Sequence, residues 1–262
     1  MLVHIVADYG QGDLAFAEVV QRLKFYLPDA EAVLTPVPPF CTLAAGFCIA
    51  QLALNPAPPG TIIYHNVAPR EDDDAARARN AGERLAYARL RTGVRVIGVN
   101  AGHAMSFIRD EAEKLRWAAV EAEGSQFRSR DVFPQAASAM ALGRSQALAE
   151  DIDPCHIPDV PASRIVYIDG YGNMKTTIRF NDKHFHPGTR LPVQIDGITH
   201  EAVVSDGTFG VEAGQLAFAP GSSGWQTRSG ERVRWVELFL RGGNAWDRFK
   251  RPALGAEIEL KL

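Results

Sequence analysis

The sequence has few cysteines, and their spacing argues against the structural roles that cysteine most often has. Only Cys41, Cys48 and Cys155 occur in 262 residues. An odd number of widely spaced cysteines matches neither a disulfide framework nor a zinc motif or redox pair. We therefore expect reduced, mostly buried thiols in a cytoplasmic protein that binds no metal.

The chain also lacks an excess of positive charge and any long apolar run. Its formal net charge is -3 and its basic residues do not cluster, so we expect no nucleic-acid partner. No apolar run is long enough to span a bilayer, so we expect no membrane partner. Residues 1–6 lead straight into a predicted strand and do not have the pattern of a signal peptide.

What the chain does contain is enough apolar sequence for one large or two modest domains. It is 46% hydrophobic and 23% charged, as globular proteins are. Residues 1–153 predict an α/β domain, with a mostly parallel sheet and flanking helices. The proline-rich segment 154–163 is the predicted linker. Residues 164–262 alternate strands and turns, which predicts a smaller, all-β, barrel-like domain.

The elements of the amino-terminal domain follow from hydrophobic periodicity. Apolar residues at helical spacing predict helices over 14–26, 41–54, about 105–115 and a small-residue stretch ending at 142. Short apolar runs predict strands over 2–7, 32–34, 61–64, 85–90 and 94–99.

Two carboxylates follow the first predicted strand. Asp8 comes directly after it, in the loop position where open α/β sheets bind ligands. A carboxylate at the end of a buried strand needs a partner, and a ribose diol offers two hydroxyl donors. Asp13 has two interpretations, a ligand-binding residue or the N-cap of the helix that begins at residue 14.

A second polar cluster lies between two predicted strands of the carboxyl-terminal domain, in the sequence DGYGN at 169–173. Asp169, Tyr171 and Asn173 are two residues apart, so in extended backbone they would face the same way. A carboxylate, an aromatic face and an amide on one edge can hold a flat heterocycle. The alternative is an ordinary glycine-rich hairpin with solvated polar residues.

Four stretches carry a resemblance to one family. They are VADYG at 6–10, IVYIDGYGNMKTTI at 165–178, FAPGSSGW at 218–225 and VELFLRGGNA at 236–245. In this order they resemble the S-adenosylmethionine hydroxide adenosyltransferases, or SAM hydrolases, which are relatives of the fluorinase and chlorinase enzymes. The resemblance spans nearly the whole chain and is most specific at Asp8 and in the carboxyl-terminal half.

The resemblance implies a function and a set of ligand-binding residues. The family displaces methionine from C5′ of S-adenosylmethionine with water, which gives adenosine and L-methionine. The family needs no cofactor beyond this substrate. The resemblance also implies a homo-oligomer, namely a trimer. The aspartate that holds the ribose corresponds to Asp8. The positions that hold the purine and the methionyl group correspond to Asp169, Tyr171, Asn173, Ser222, Ser223, Asn244 and Ala245. Trp225, in the same stretch, has an alternative interpretation as a core residue.

The catalytic positions of the family are altered in this sequence. The hydrolytic members position and deprotonate water with a carboxylate, an arginine and a histidine. Asn66 stands at the carboxylate position and Arg128 at the histidine position, and neither side chain can accept a proton. Arg70 could replace the arginine, at a shifted position. Arg128 also brings positive charge near the sulfonium, unless a carboxylate such as Asp131 offsets it.

Two histidines at strand ends, His65 and His103, are candidate replacement bases. The alternative for each is a hydrogen-bonded structural imidazole. The sequence therefore leaves open a SAM hydrolase with a relocated base, a non-catalytic module that binds adenosine or S-adenosylmethionine, and a different nucleophilic displacement on a nucleoside.

Overall fold

The structure, a computed structural model, describes residues 1–69, 77–121 and 123–261. It divides the chain into two compact units, Met1–Asp159 and Val160–Leu262. The division falls within the proline-rich segment 154–163. Each unit is built on its own seven-stranded sheet. Within the described residues, no helix is both long enough and apolar enough to cross a membrane.

The amino-terminal unit contains a mixed sheet with the strand order β2-β1-β3-β5-β4-β6-β7. Its strands are β1 (Leu2–Ala7), β2 (Glu31–Pro36), β3 (Ile62–Asn66), β4 (Leu85–Leu90), β5 (Arg95–Val99), β6 (Ala112–Ala118) and β7 (Leu148–Asp151). The pairs among β2, β1, β3 and β5 are parallel, and the remaining pairs are antiparallel. The prediction of a mostly parallel sheet therefore holds only for the first half. A tight turn joins β4 to β5, and such a connection forces an antiparallel pair.

Within the described residues, four α-helices flank this sheet: α1 (Leu14–Tyr26), α2 (Thr42–Ala53), α3 (Arg128–Asp131) and α4 (Phe133–Ala141). Helix α1 buries Phe16, Val19 and Leu23 in a core that it shares with α4 and one face of the sheet. Helix α2 packs against β1, β3 and β5. Because α3 and α4 have only four and nine residues, the helical layers are thinner than the sequence predicts.

The predicted helix over about 105–115 is wrong. Residues 102–108 form turns, and Ala112–Ala118 is strand β6, which pairs with β4. Met105 and Ile108 are fully buried, and the ring of Phe107 lies edge-on to Phe47 of α2 with centroids 5.9 Å apart. Their apolar spacing therefore reflects a buried loop beneath α2, which periodicity alone does not distinguish from a helix.

The carboxyl-terminal unit is an almost closed barrel with the strand order β14-β10-β11-β12-β13-β9-β8. Its strands are β8 (Ile165–Ile168), β9 (Met174–Arg179), β10 (Arg190–Ile195), β11 (Ile198–Val204), β12 (Leu216–Gln226), β13 (Arg232–Leu240) and β14 (Ile258–Leu260). The two ends of the sheet meet at an isolated bridge between Arg164 and Glu257. The N–H of Ile258 also donates to the carbonyl of Ser163 at 2.8 Å. A short helix, α5 (Ala245–Arg248), departs from the predicted all-β composition.

Candidate functional site

A cavity of about 750 Å³ lies at the carboxyl ends of the parallel strands in the amino-terminal unit. Asp8 directly follows β1, Asn66 ends β3 and Val99 ends β5, and all three line this cavity. Parallel strands end at the same edge of a sheet, which is where open α/β folds bind ligands. The volume is in the range of small-molecule sites. The cavity brings together four of the predicted site residues, namely Asp8, Asp13, Asn66 and Arg128.

Asp8 is half-buried, and its carboxylate is oriented by the backbone of the β2–α2 loop. Its Oδ2 accepts a hydrogen bond from the N–H of Phe40 at 2.9 Å. Phe40 has a φ of 61°, a left-handed conformation that is uncommon and costly for an aromatic residue. The ring of Phe40 also lines the cavity, 43% exposed. The sequence does not identify Phe40, because its backbone conformation is visible only in the structure.

Asp13 is confirmed as the N-cap of α1. Its Oδ1 accepts a hydrogen bond from the N–H of Ala15 at 2.7 Å, which satisfies one of the first N–H groups of the helix. The residue also lines the cavity. The described role of Asp13 is therefore to cap α1.

Beneath the cavity, two tyrosine hydroxyls attach α3 to the sheet. Tyr9 donates to Oγ of Ser129 at 2.7 Å, and Tyr64 donates to the carbonyl of Ser129 at 2.6 Å. Burial raises the pKa of both phenols, so both remain neutral donors. Since Asp8 precedes Tyr9 and Arg128 precedes Ser129, this contact holds Asp8 and Arg128 at the same cavity.

Arg128 occupies a position that a glycine makes room for. Its Nη1 donates to the carbonyl of Asn80 at 2.6 Å, and a Cβ added at Gly82 would lie 1.6 Å from its Nη2. Its Nε is buried and has no acceptor among the residues that the structure describes. Asp131 does not offset this charge, because its carboxylate accepts from Nε of Arg130 at 2.7 Å and from the hydroxyl of Ser125.

The two candidate histidine bases do not line the cavity. His65 is fully buried, and neither of its ring nitrogens has a hydrogen-bond partner among the described residues. Burial lowers its pKa to about 3, so the imidazole is neutral. The N–H of His103 donates to Oγ1 of Thr42 at 3.1 Å, and its Nδ1 lies 3.3 Å from Oγ of Ser106. Burial lowers the pKa of His103 as well. Arg70, the remaining catalytic candidate, lies outside the described residues.

The predicted purine-binding turn of the carboxyl-terminal unit closes on itself. Oδ1 of Asp169 accepts from the N–H groups of Tyr171 and Asn173 at 2.9 and 3.0 Å, and Oδ2 accepts from Nδ2 of Asn173 at 2.9 Å. The backbone is therefore a tight turn, not the extended edge that the two-residue spacing suggested. It leaves the ring of Tyr171 81% exposed.

The segment that starts α5 packs against this turn. Asn244 caps α5 by accepting from the N–H of Asp247 at 2.8 Å, and the N–H of Trp246 donates to the carbonyl of Gly172 at 2.9 Å. A Cβ at Gly172 would lie 2.1 Å from the side chain of Asn244. Ala245 is fully buried. The structure thus brings five predicted ligand residues together in this unit: Asp169, Tyr171, Asn173, Asn244 and Ala245.

Ser222 and Ser223 lie in β12 where its pairing with β13 is irregular. Nζ of Lys175 donates to Oγ of Ser222 at 3.3 Å and to Oε2 of Glu237 at 2.9 Å. Glu237 is almost fully buried, and sequence analysis identified neither Lys175 nor Glu237 because both lie within predicted strands. Ser223 is buried. Trp225 is 5% exposed and packs on Trp235 with ring centroids 5.6 Å apart, which confirms it as a core residue.

Within the part of the chain that the structure describes, no group of three or more histidine, cysteine or acidic side chains is arranged to hold a metal ion. The polar residues that line the cavity carry carboxylates, amides, guanidinium groups and the hydroxyls of Tyr9 and Ser129. They can bind hydroxyl groups, amides and anions directly.

No protein-family model matches this chain, and no curated protein matches it significantly. Two solved structures are similar to it over almost their whole length. An uncharacterized conserved protein from Thermotoga maritima has a TM-score of 0.76 and 17% identity, covering 98% of this chain and 99% of that chain. A conserved hypothetical protein from Thermus thermophilus has a TM-score of 0.65 and 18% identity, covering 98% of each chain. The chain shares the fold of these two proteins.

Proposed function

We propose that this chain binds an adenosine compound, S-adenosylmethionine or adenosine, with Asp8 holding the ribose. One observation carries the proposal: Asp8, Asn66 and Arg128, which are far apart in the sequence, line a single cavity. The resemblance assigns these positions to ribose binding and to the activation of water. The resemblance predicts that these three positions belong to one site, and their presence at one cavity supports that prediction.

The chemistry of Asp8 suits a ribose diol. The carboxylate is half-buried at the end of β1 and is oriented by the N–H of Phe40. A carboxylate accepts several hydrogen bonds, so this contact fixes its direction and is compatible with bonds to hydroxyl groups. The exposed ring of Phe40 adds an aromatic surface at the same place.

For the carboxyl-terminal unit we propose that Tyr171, Asn173 and Asn244 bind the purine and that Ser222 and Ser223 bind a carboxylate. The exposed ring of Tyr171 on a rigid turn supports the first assignment, because a planar base stacks on such a ring. The hydrogen bond from Nζ of Lys175, which also pairs with Glu237, supports the second, since it orients the Ser222 hydroxyl so that its hydrogen can point toward a ligand oxygen.

We further propose that the chain belongs to the activity class of the SAM hydrolases but turns over slowly. Among the described residues that line the cavity, the side chains that could accept a proton are the carboxylates of Asp8, Asp13 and Glu83. Asp8 is assigned to the ribose diol, Asp13 caps α1, and Glu83 pairs with Arg77. A binding module without catalysis is the second candidate, favoured by the absence of both histidines from the cavity wall.

Calorimetric titration tests the binding. Adenosine and S-adenosylmethionine should bind with at least micromolar affinity, roughly -8 kcal/mol. Asp8→Asn should weaken binding about tenfold or more, because hydrogen bonds to a charged acceptor are stronger than those to an amide. Asp29→Asn, which changes an exposed carboxylate of the same unit, should leave the affinity unchanged. No heat from either ligand at protein concentrations well above micromolar would refute the proposal.

A further inference from the structure

The guanidinium group of Arg128 lines the cavity without an ion-pair partner among the described residues. Of its five N–H donors, one is used by the carbonyl of Asn80. Its buried Nε has no acceptor, and no carboxylate among the described residues forms an ion pair with it. A half-buried cation whose one partner in the described part of the chain is a neutral carbonyl is costly, and its remaining donors can bind an anion.

The surroundings hold this guanidinium in place. Gly82 leaves the space that Nη2 occupies. The carbonyl that receives Nη1 belongs to Asn80, which has a φ of 55° and is anchored by its side-chain amide to the carbonyl of Ser125 at 3.1 Å. On the other side, Ser129 is fixed by Tyr9 and Tyr64. Arg128 is therefore a fixed feature of the cavity wall.

The neighbouring carboxylates in the described part of the chain have other partners. Asp8 and Asp13 each accept a backbone N–H, and Glu83 pairs with Arg77 at 3.1 Å. Asp131 is held by Arg130, which also pairs with Glu18 at 2.9 Å. No described carboxylate is therefore the partner of Arg128, and a bound anion would supply one.

We infer that the ligand is a nucleoside that carries an oxyanion at C5′, such as a nucleoside 5′-phosphate, and that Arg128 binds this oxyanion. This inference depends on the proposed function, in which Asp8 holds the ribose diol. The diol and the base are neutral at pH 7, and Asp8 occupies the 2′- and 3′-hydroxyls in the proposed function, so C5′ is the ribose carbon left to carry an anionic group. Arginine binds phosphate and carboxylate through two parallel N–H bonds. The same guanidinium repels a sulfonium at that place.

Titration of the wild-type protein with adenosine, adenosine 5′-monophosphate and S-adenosylmethionine tests the inference. The monophosphate should bind about ten- to a hundredfold more tightly than adenosine, as expected for a charge-assisted pair of hydrogen bonds. S-adenosylmethionine should bind no more tightly than adenosine. Adenosine 5′-carboxylate separates the two oxyanions: affinity equal to that of the monophosphate shows that a carboxylate suffices, and weaker binding identifies phosphate.

Two variants attribute the preference to Arg128. Arg128→Gln should reduce the affinity for the monophosphate to that for adenosine, with adenosine binding unchanged. Gly82→Ala keeps the charge but displaces the guanidinium, and it should reduce the preference in the same direction. The matched control is Arg130→Gln on the same helix, because Arg130 does not line the cavity and pairs with Glu18 and Asp131. It should retain the full preference.

The outcomes distinguish binding of an oxyanion by Arg128 from binding of an adenosine compound at Asp8. Equal affinity for adenosine and its monophosphate would overturn the inference and leave the proposed function standing. A preference for S-adenosylmethionine over both would do the same. If none of the three ligands binds, the proposed function fails and the inference fails with it.

Discussion

Asn66 and Arg128 lie at the same cavity as Asp8, and neither can remove a proton from water. Loss of a positioned base costs about a hundred- to ten-thousandfold in rate. We therefore expect hydrolysis of S-adenosylmethionine to be slower by that factor than in a hydrolase with the full set of catalytic groups. Chromatography of released adenosine measures this rate.

Restoring a carboxylate sharpens this prediction. Asn66→Asp should raise the rate of adenosine release, whereas Asn66→Ala should not. Only the aspartate supplies a group at the end of β3 that can accept a proton from water. The competing account relocates the base to His65 or His103. Turnover that rises through neutral pH and collapses in His65→Ala or His103→Ala would favour that account over ours.

His65 also affects stability through its burial. Its pKa is about 3 in the folded chain against 6.5 for an ordinary histidine, so between these values only the unfolded chain takes up the proton. The contribution of the neutral imidazole is complete above pH 6.5 and is lost as the pH falls toward 3. From pH 7 to pH 5 this loss is about 2 kcal/mol.

Urea unfolding at the two pH values checks the effect. His65→Gln removes the titrating group, so this variant should lose about 2 kcal/mol less than the wild type over the same interval. An identical pH dependence in the two proteins would show that His65 does not titrate as described.

At the scale of elements, the turn at 169–173 depends on one glycine more than on the other. Gly172 has a φ of 78°, and an added Cβ would lie 2.1 Å from Asn244. Gly170 has open space at the same position. Gly172→Ala should therefore destabilise the carboxyl-terminal unit by about 1–3 kcal/mol, and Gly170→Ala should have little effect. Thermal unfolding followed by tryptophan fluorescence distinguishes them, and equal shifts for both variants would contradict the described turn.

Elements with strong local signals could be predicted from the sequence. Helix α1 was predicted at its observed bounds because its apolar residues keep helical spacing and Asp13 caps it. The helix predicted over about 105–115 is wrong, because a buried loop followed by a strand has the same apolar content as a helix. The turn at 169–173 was placed correctly, but its internal hydrogen bonds depend on a conformation that residue spacing does not specify.

At the scale of the molecule, sequence patterns predicted an α/β unit and a barrel-like unit but not the details of the sheets. The order of β4, β5 and β6 depends on long-range pairing. The residues that line the cavity come from loops spread between positions 8 and 133, so the sequence predicts only some of them. Asp8 was identifiable because it follows a strand. Phe40, Gly82 and Asn80 were not, since their roles arise from φ values and close packing.

The assembly is a further prediction at this scale, and it comes from the resemblance. We expect a homotrimer in solution. Multi-angle light scattering at micromolar concentration should give three times the chain mass of 28.6 kDa. The mass of a single chain at that concentration would contradict it.

The central claim is that the cavity beside Asp8 binds the ribose of an adenosine compound. A crystal structure of the protein soaked with adenosine tests it most directly. We predict density for the nucleoside in this cavity, with both ribose hydroxyls within hydrogen-bond distance of the Asp8 carboxylate. An empty cavity at millimolar adenosine, or a nucleoside whose ribose contacts other residues, would contradict the account.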